Sequence, residues 1–457
     1  MKNSDKTELF ETSPIPKAVA ALCIPTVLSS LVMIIYNLAD TFFVGELNDA
    51  IQNAGVTLAA PVLLAFNAVT NLFGVGTSSK MSRALGSKDY DTVYRSSAFG
   101  FYCALFFSVV MAICCTVFKT PLLNLLGADS ETWTATGDYL FWTVSCGAVP
   151  AILNVILAYL VRAEGASLHA SVGTMSGCIL NIILDPIFIL PWGLGMGAAG
   201  AGLATFISNC VACTYYMVLL FIKRGNTYVC INPKMFSFRK DIAKDICYVG
   251  IPASIQNLLN VTGMTVLNNF TAAYNSAAAV AAMGISHKIA LVPMYVSMGL
   301  SQGIMPLISY NYASGNIKRM KNSLAFTTKI SMSIIVVLTV ALCFTSGFVT
   351  ATFLNDPNVI AYGTEFLRAM SLALPFLCFD FIAVAVFQAC GMGGKSLVFA
   401  IARKIVLEIP ALFVLDKLYP LYGLAYAQLV AEFVLAIAAA IVLKKMFIRL
   451  EGAEAQA

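Results

Sequence analysis

The residues best placed to do chemistry are acids set in apolar surroundings: Asp40, Asp185, Asp380, Glu408 and Glu432 all fall inside long hydrophobic runs. A carboxylate at the centre of a membrane helix costs about 2.5 to 3.5 kcal/mol on insertion scales, so it marks an ion or proton pathway unless a partner neutralises it. Asp40 closes the string Tyr36-Asn37-Leu38-Ala39-Asp40 in the first run, and Asp185 closes Asn181-Ile182-Ile183-Leu184-Asp185 in the fifth. Each stands about five residues before the end of its run, so at 1.5 Å per residue both lie about 7 to 8 Å below the same face. Asn181 and Asp185 are four apart and share one side of a helix. Pro186 has no N–H to donate, which frees a carbonyl near Ile182. Two carboxylates, an amide oxygen and a free carbonyl would suit a small hard cation or a shared proton. The plainer reading is an acid hydrogen-bonded near the interface, yet no basic residue of the first half lies at that depth.

The second half is less uniform. Glu408 follows Lys404 by four residues, a spacing that suits a structural ion pair. Asp380 and Glu432 have no such partner on their own runs and stand as candidates for a second coupling group, with Glu408 beside them. Pro25 and Pro252 interrupt the first and seventh runs; such a proline makes either a hinge or a static kink. Tyr36, Asn37, Met264 and Met294, together with Phe42, Phe66 and Met298, could line a cleft for flat organic cations, which aromatic faces attract. Any one of them is more often lipid-facing or part of a core. Two motifs are set aside. Gly195-Met196-Gly197-Ala198-Ala199-Gly200 has dinucleotide-loop spacing but no strand before it. Cys210-Val211-Ala212-Cys213 has redox spacing inside an apolar run with no further ligands. His169 and His287 are far apart, and no metal other than Na⁺ and no cofactor is expected.

The elements that must carry these groups follow from composition. Hydrophobic residues make up 59% of the 457 and charged residues only 11%, with a mean hydropathy of +0.83. A soluble domain carries about 25% charged residues, so most of this surface must face lipid. At roughly 20 apolar residues per span, runs near 18–44, 52–78, 93–118, 137–161, 169–190, 200–222, 245–272, 280–309, 323–347, 363–389, 397–415 and 422–443 predict twelve membrane helices. Met1 to Lys17 lacks a signal-peptide pattern, so the first span is expected to stay in the membrane. With the N-terminus inside, about 24 of the 28 basic residues fall in inside segments, which places both termini in the cytoplasm. The basic charge therefore suits topology rather than nucleic-acid binding. The 13 cysteines are scattered in apolar runs and read as small hydrophobic fillers. Residues 223–244 form the longest and most basic loop and divide an N-lobe, 1–222, from a C-lobe, 245–457.

The two halves repeat. Ile24-Pro25 returns as Ile251-Pro252, Arg83-Ala84-Leu85-Gly86 as Tyr312-Ala313-Ser314-Gly315, and Pro150 as Pro375. Six spans per half is an even number, so the repeats run parallel about an axis along the membrane normal, an arrangement that places substrate near the midplane. The strings Tyr36-Asn37-Leu38-Ala39-Asp40-Thr41-Phe42-Phe43-Val44-Gly45, Asn71-Leu72-Phe73-Gly74-Val75-Gly76, Asn181-Ile182-Ile183-Leu184-Asp185-Pro186, Gly250-Ile251-Pro252-Ala253 and Pro306-Leu307-Ile308-Ser309-Tyr310-Asn311 carry a resemblance. In their order and spacing they resemble the multidrug and toxic compound extrusion (MATE) family over essentially the whole chain. That resemblance implies an all-α membrane protein of two six-helix bundles around a central cleft, exchanging drugs or metabolites for Na⁺ or H⁺. It implies an N-lobe ion site on Asp40, Asn181, Asp185 and Thr205. Gln256 stands near where other members carry a glutamate, which puts a C-lobe site of that kind in doubt, while Asp380 resembles their helix-10 aspartate.

The expected protein is thus an antiporter for amphipathic, often cationic compounds, working as a monomer in the plasma membrane. The alternative, a flippase for a lipid-linked precursor, calls for a cationic cavity, and the spans supply little basic charge. No catalytic constellation supports an enzyme.

Overall fold

The computed structural model describes residues 3–354 and 356–454; the chain ends, whose cytoplasmic placement was expected above, lie partly outside them. Among the described residues there is no strand, and helical rods stand on all twelve expected spans. We label them α1 (Ile15–Glu46), α2 (Ala50–Gly86), α3 (Tyr90–Val117), α4 (Trp133–Cys146 with Ala148–Ala163), α5 (Ser167–Ile189), α6 (Ala198–Ile222), α7 (Lys240–Ala272), α8 (Ala277–Ala313), α9 (Ile317–Phe353), α10 (Pro357–Ala389), α11 (Gly393–Ile401, Ala402–Glu408 and Ile409–Leu418) and α12 (Tyr422–Glu454). Nine are single helices long and apolar enough to cross a membrane, and α4 qualifies as a pair bent by 52° at Gly147. The remaining two fall short for visible reasons. Gln256, Asn257, Asn260, Asn268 and Asn269 make the body of α7 too polar, and α11 carries Lys395, Arg403, Lys404 and Glu408.

Helix starts obey a shared chemistry. Asp49 accepts from the Ile51 N–H at 2.9 Å ahead of α2, Asp89 from Thr92 at 3.1 Å ahead of α3, Ser276 from Ala279 at 3.2 Å ahead of α8, and Asn316 from Arg319 at 3.0 Å ahead of α9. Each side chain satisfies an N–H that the helix itself leaves unpaired. Asp49 and Ser276 are equivalent positions of the repeat, as are Asp89 and Asn316. The duplication is therefore written in the caps, even where the side chain itself has changed.

Contacts sort the chain into two compact units, Met1–Ser13 with Leu28–Ser254, and Pro14–Val27 with Ile255–Ala457. The grouping follows packing rather than chain order. The first half of α1 counts with the second unit and the first half of α7 with the first. Both changes of allegiance fall two residues after a proline, Pro25 and Pro252.

In the first unit, α7 lies backbone to backbone on α2. A Cβ on Gly250 would stand 1.9 Å from the Leu72 carbonyl oxygen, and one on Gly76 would stand 2.3 Å from that of Ile246. Only glycine allows this approach, and Lys80 Nζ closes it at 2.6 Å from Asp245 Oδ2. The 223–239 linker is strapped to the same unit. Glu164 accepts from the Tyr228 N–H at 2.6 Å and from the Thr227 hydroxyl at 2.9 Å, and Tyr102 donates to the Ile231 carbonyl at 2.8 Å. The second unit is built around α10, which is buried through most of its length and packs on α8, α9 and α12.

Candidate functional site

In the first unit, α1, α5 and α6 bring together the residues picked out from the sequence. α5 and α6 approach closely because Gly177 presents no side chain; its Cβ would lie 3.1 Å from Ala212 Cβ and 3.2 Å from the Ser208 carbonyl oxygen. The fold of α5 then buries Asp185 completely and leaves Asn181 2% exposed. With its amide nitrogen turned to the carboxylate, Asn181 donates to Asp185 Oδ2 at 2.8 Å and its oxygen accepts from the Thr205 N–H at 3.1 Å. That orientation satisfies both ends of the amide. The i,i+4 link expected between Asn181 and Asp185 is thus a hydrogen bond, and Thr205 enters through its backbone.

Asp40 on α1 lies near enough to Asp185 for the two charges to repel. Its Oδ1 is buried and accepts no hydrogen bond. Tyr36, one turn earlier, and Tyr139 of α4 both lie within electrostatic reach of the two carboxylates. Tyr139 has no spacing relation to Asp40 or Asp185, so nothing in the sequence pointed to it. It arrives because Gly202 of α6 lets α4 come close, with the Tyr139 carbonyl 3.1 Å from where a Cβ would stand. Two neighbouring carboxylates with an unused acceptor form a trap for one positive charge, either a shared proton or a small cation.

The second unit holds a different arrangement. Arg403 Nε of α11 donates to Glu432 Oε1 of α12 at 2.7 Å, and its Nη1 stands 3.9 Å from Asp380 Oδ2 of α10. The guanidinium also lies 5.0 Å from the centre of the Phe381 ring. Lys404 Nζ is 2.6 Å from Glu408 Oε2, the i,i+4 pair that the spacing implied. All five side chains are buried. A π-helical turn, Ala402–Glu408, holds three of them; such turns recur at functional sites. Arg403 and Lys404 lie well inside α11, which begins at Gly393. Asp380 and Glu432, without partners on their own helices, share one from another.

Three carboxylates and two cations leave one acid in excess, with His287 of α8 beside Lys404 and Glu408. Neither oxygen of Asp380 accepts a hydrogen bond, nor does Glu432 Oε2. Gln256 stands apart from this group in its recorded contact, with its Oε1 3.5 Å from the Gln388 amide nitrogen. Of the residues proposed to meet substrate, Tyr36 is half-buried and Asn37 exposed in the first unit, while Met264 is exposed and Met294 half-buried in the second. The glycine string 195–200 makes a turn into α6, where Gln52 Oε1 accepts from the Ala198 N–H at 2.8 Å. Among the described residues no group of acids, histidines and cysteines is disposed to hold a metal, and the cysteines are free thiols.

A membrane-spanning helical protein with a duplicated unit and buried ionisable groups fits the class of membrane transporters. The MatE family model matches the chain twice, over residues 25–187 and 252–414, and the chain belongs to this family of membrane transporters. The first match opens on Pro25 of α1 and the second on Pro252 of α7. The multidrug export protein MepA of Staphylococcus haemolyticus (strain JCSC1435) is 33% identical over 430 residues, 93% of each chain. MepA of Staphylococcus aureus (strain MRSA252) is 33% identical over 95% of this chain and 94% of its own. A crystal structure of MATE in complex with MaL6 superposes with a TM-score of 0.92 at 26% identity, covering 98% of this chain and 99% of that one.

Proposed function

We propose that this transporter is an antiporter that exports amphipathic, often cationic, drugs or metabolites in exchange for Na⁺ or H⁺, by alternating access. Asp40, Asn181, Asp185 and Thr205 hold the coupling ion. The observation that carries this reading is Asp40: its unpaired buried oxygen beside a second carboxylate leaves one positive charge to be supplied. The relatives' designation as multidrug export proteins supports a drug-like cargo. Asp380, Glu432 and Glu408 form a second coupling group around Arg403, supported by their excess of one acid; Gln256 plays a lesser part. Tyr36, Asn37, Met264 and Met294 face the substrate. Pro25 and Pro252 act as hinges, supported by the change of packing partner just beyond each.

By the Lys/Arg distribution both termini and the 223–244 linker lie in the cytoplasm, the lobes being 1–222 and 245–457, in a monomer of the plasma membrane. The test is ethidium efflux from proteoliposomes under separately imposed Na⁺ and pH gradients. One gradient should drive export, and Asp185→Asn should abolish the drive. Unchanged efflux in the Asp40→Asn/Asp185→Asn protein would sink the site. Headgroup translocation with no movement of organic cations would favour a lipid-precursor flippase.

A further inference from the structure

At the end of the second unit where α11 begins and α12 leaves the membrane, a cavity of about 300 Å³ is lined by Met392, Lys395, Val442, Lys445, Met446, Arg449 and Leu450. Three of the seven are cations and none is an acid. Val442, Lys445, Met446, Arg449 and Leu450 follow the i, i+3, i+4, i+7, i+8 pattern of a single helix face. That face alternates apolar and basic groups. Lys395 reaches in from the first turn of α11, its Nζ 5.8 Å from the Phe387 ring centre. Among the described residues none of the three cations has an ion-pair partner. Glu451, two residues from Arg449, is engaged at 2.6 Å with Lys321.

Depth narrows the occupant. Counting about 20 residues from Tyr422 brings α12 to residue 442 at the edge of the hydrocarbon core. Lys445 then sits about 4.5 Å beyond that edge, in the headgroup layer, and Arg449 reaches back towards it along its stem. Val442 lies at that edge, and Met446, about 6 Å beyond it, floors the cavity beside Lys445. A ligand here needs a phosphate-like anion at one end and a hydrocarbon chain at the other.

We propose that this cavity is a binding site for an anionic phospholipid, with the phosphate held by Lys395, Lys445 and Arg449 and an acyl chain laid along Met392, Val442 and Met446. Three convergent cations on an apolar floor match a negatively charged amphiphile in both charge and polarity. The inference takes from the proposed function only the membrane orientation. It does not depend on the coupling ion or cargo, so either can fail without the other.

The experiment uses the full chain in detergent. Retained lipid is read by native mass spectrometry, and the thermal midpoint is followed during titration with phosphatidylglycerol, phosphatidylcholine or inorganic phosphate. Phosphatidylglycerol should remain bound and raise the midpoint, while the other two leave it unchanged. Lys395→Gln, Lys445→Gln and Arg449→Gln should each weaken phosphatidylglycerol binding about fivefold, and the triple variant should retain none. Arg224→Gln/Lys234→Gln, in the linker, should bind like the wild type. Equal stabilisation by phosphatidylcholine, or undiminished phosphatidylglycerol retention by the triple variant, overturns the proposal. So does a full shift with inorganic phosphate alone, which would mark a free-phosphate site. Should the triple variant not fold, the fivefold loss in Lys445→Gln alone decides.

Discussion

At the scale of single residues, the two units solve the problem of buried acids in opposite ways. Asp40 and Asp185 stand together with no ion-pair partner among the described residues, which leaves a place for one proton or small cation. Asp380 and Glu432 are given Arg403, and Glu408 is given Lys404, so most of the charge is supplied internally. Removing one partner of a buried ion pair typically costs about 3 to 5 kcal/mol, because the other charge is left stranded. Arg403→Met should therefore lower the thermal midpoint sharply, and Asp380→Asn/Arg403→Met/Glu432→Gln should recover most of the loss. If the single and triple variants melt alike, the network is not holding the helices together. The Lys404–Glu408 pair was legible from its spacing. Arg403 was not, because its partners lie 23 residues before it and 29 after it, on other helices.

At the scale of elements, caps and glycines do what periodicity cannot show. Asp89 accepts from the Thr92 hydroxyl and N–H, and these bonds hold its carboxyl below the usual carboxylate range. A depressed folded-state pKa means that its stabilisation is present above the ordinary carboxylate value and is lost as pH falls through the lowered one. Asp89→Ala should cost about 1 kcal/mol. Hydrogen exchange in the first turn of α3 should quicken in the variant at neutral pH, and in the wild type only in acid. Fast wild-type exchange at neutral pH would count against the cap. Gly250 makes a different prediction, because a side chain there collides with the Leu72 carbonyl. Gly250→Val should cost about 1 to 3 kcal/mol by forcing α7 off α2, and a thermal midpoint equal to that of the wild type would deny the close packing.

For the whole molecule, the basic linker makes orientation in the membrane directly testable. Gly225 has a positive φ of 84° and open space around it, which marks an exposed turn beside the basic segment. A protease site inserted between Gly225 and Asn226 should be cut in inside-out vesicles and spared in right-side-out ones. Cleavage of the right-side-out population would invert the assignment of every loop. The anchoring of residues 227–231 to the first unit, through Glu164 and Tyr102, explains why a loop between lobes need not be loose.

The sequence by itself determined that the chain lives in lipid, that it is duplicated, and that acids sit where acids are costly. These are properties of composition, of local period and of recurrence, and each can be read one segment at a time. Even the shared depth of Asp40 and Asp185 needed only the rise of a helix. What only the tertiary structure decided is which groups meet. Tyr139 joins the acid pair because Gly202 lets α4 close on α6, Arg403 enters the second unit's interior on a π turn, and α1 and α7 change packing partners beyond their prolines. Lateral contact between membrane helices depends on rotation and tilt, which every apolar run leaves free and only packing fixes.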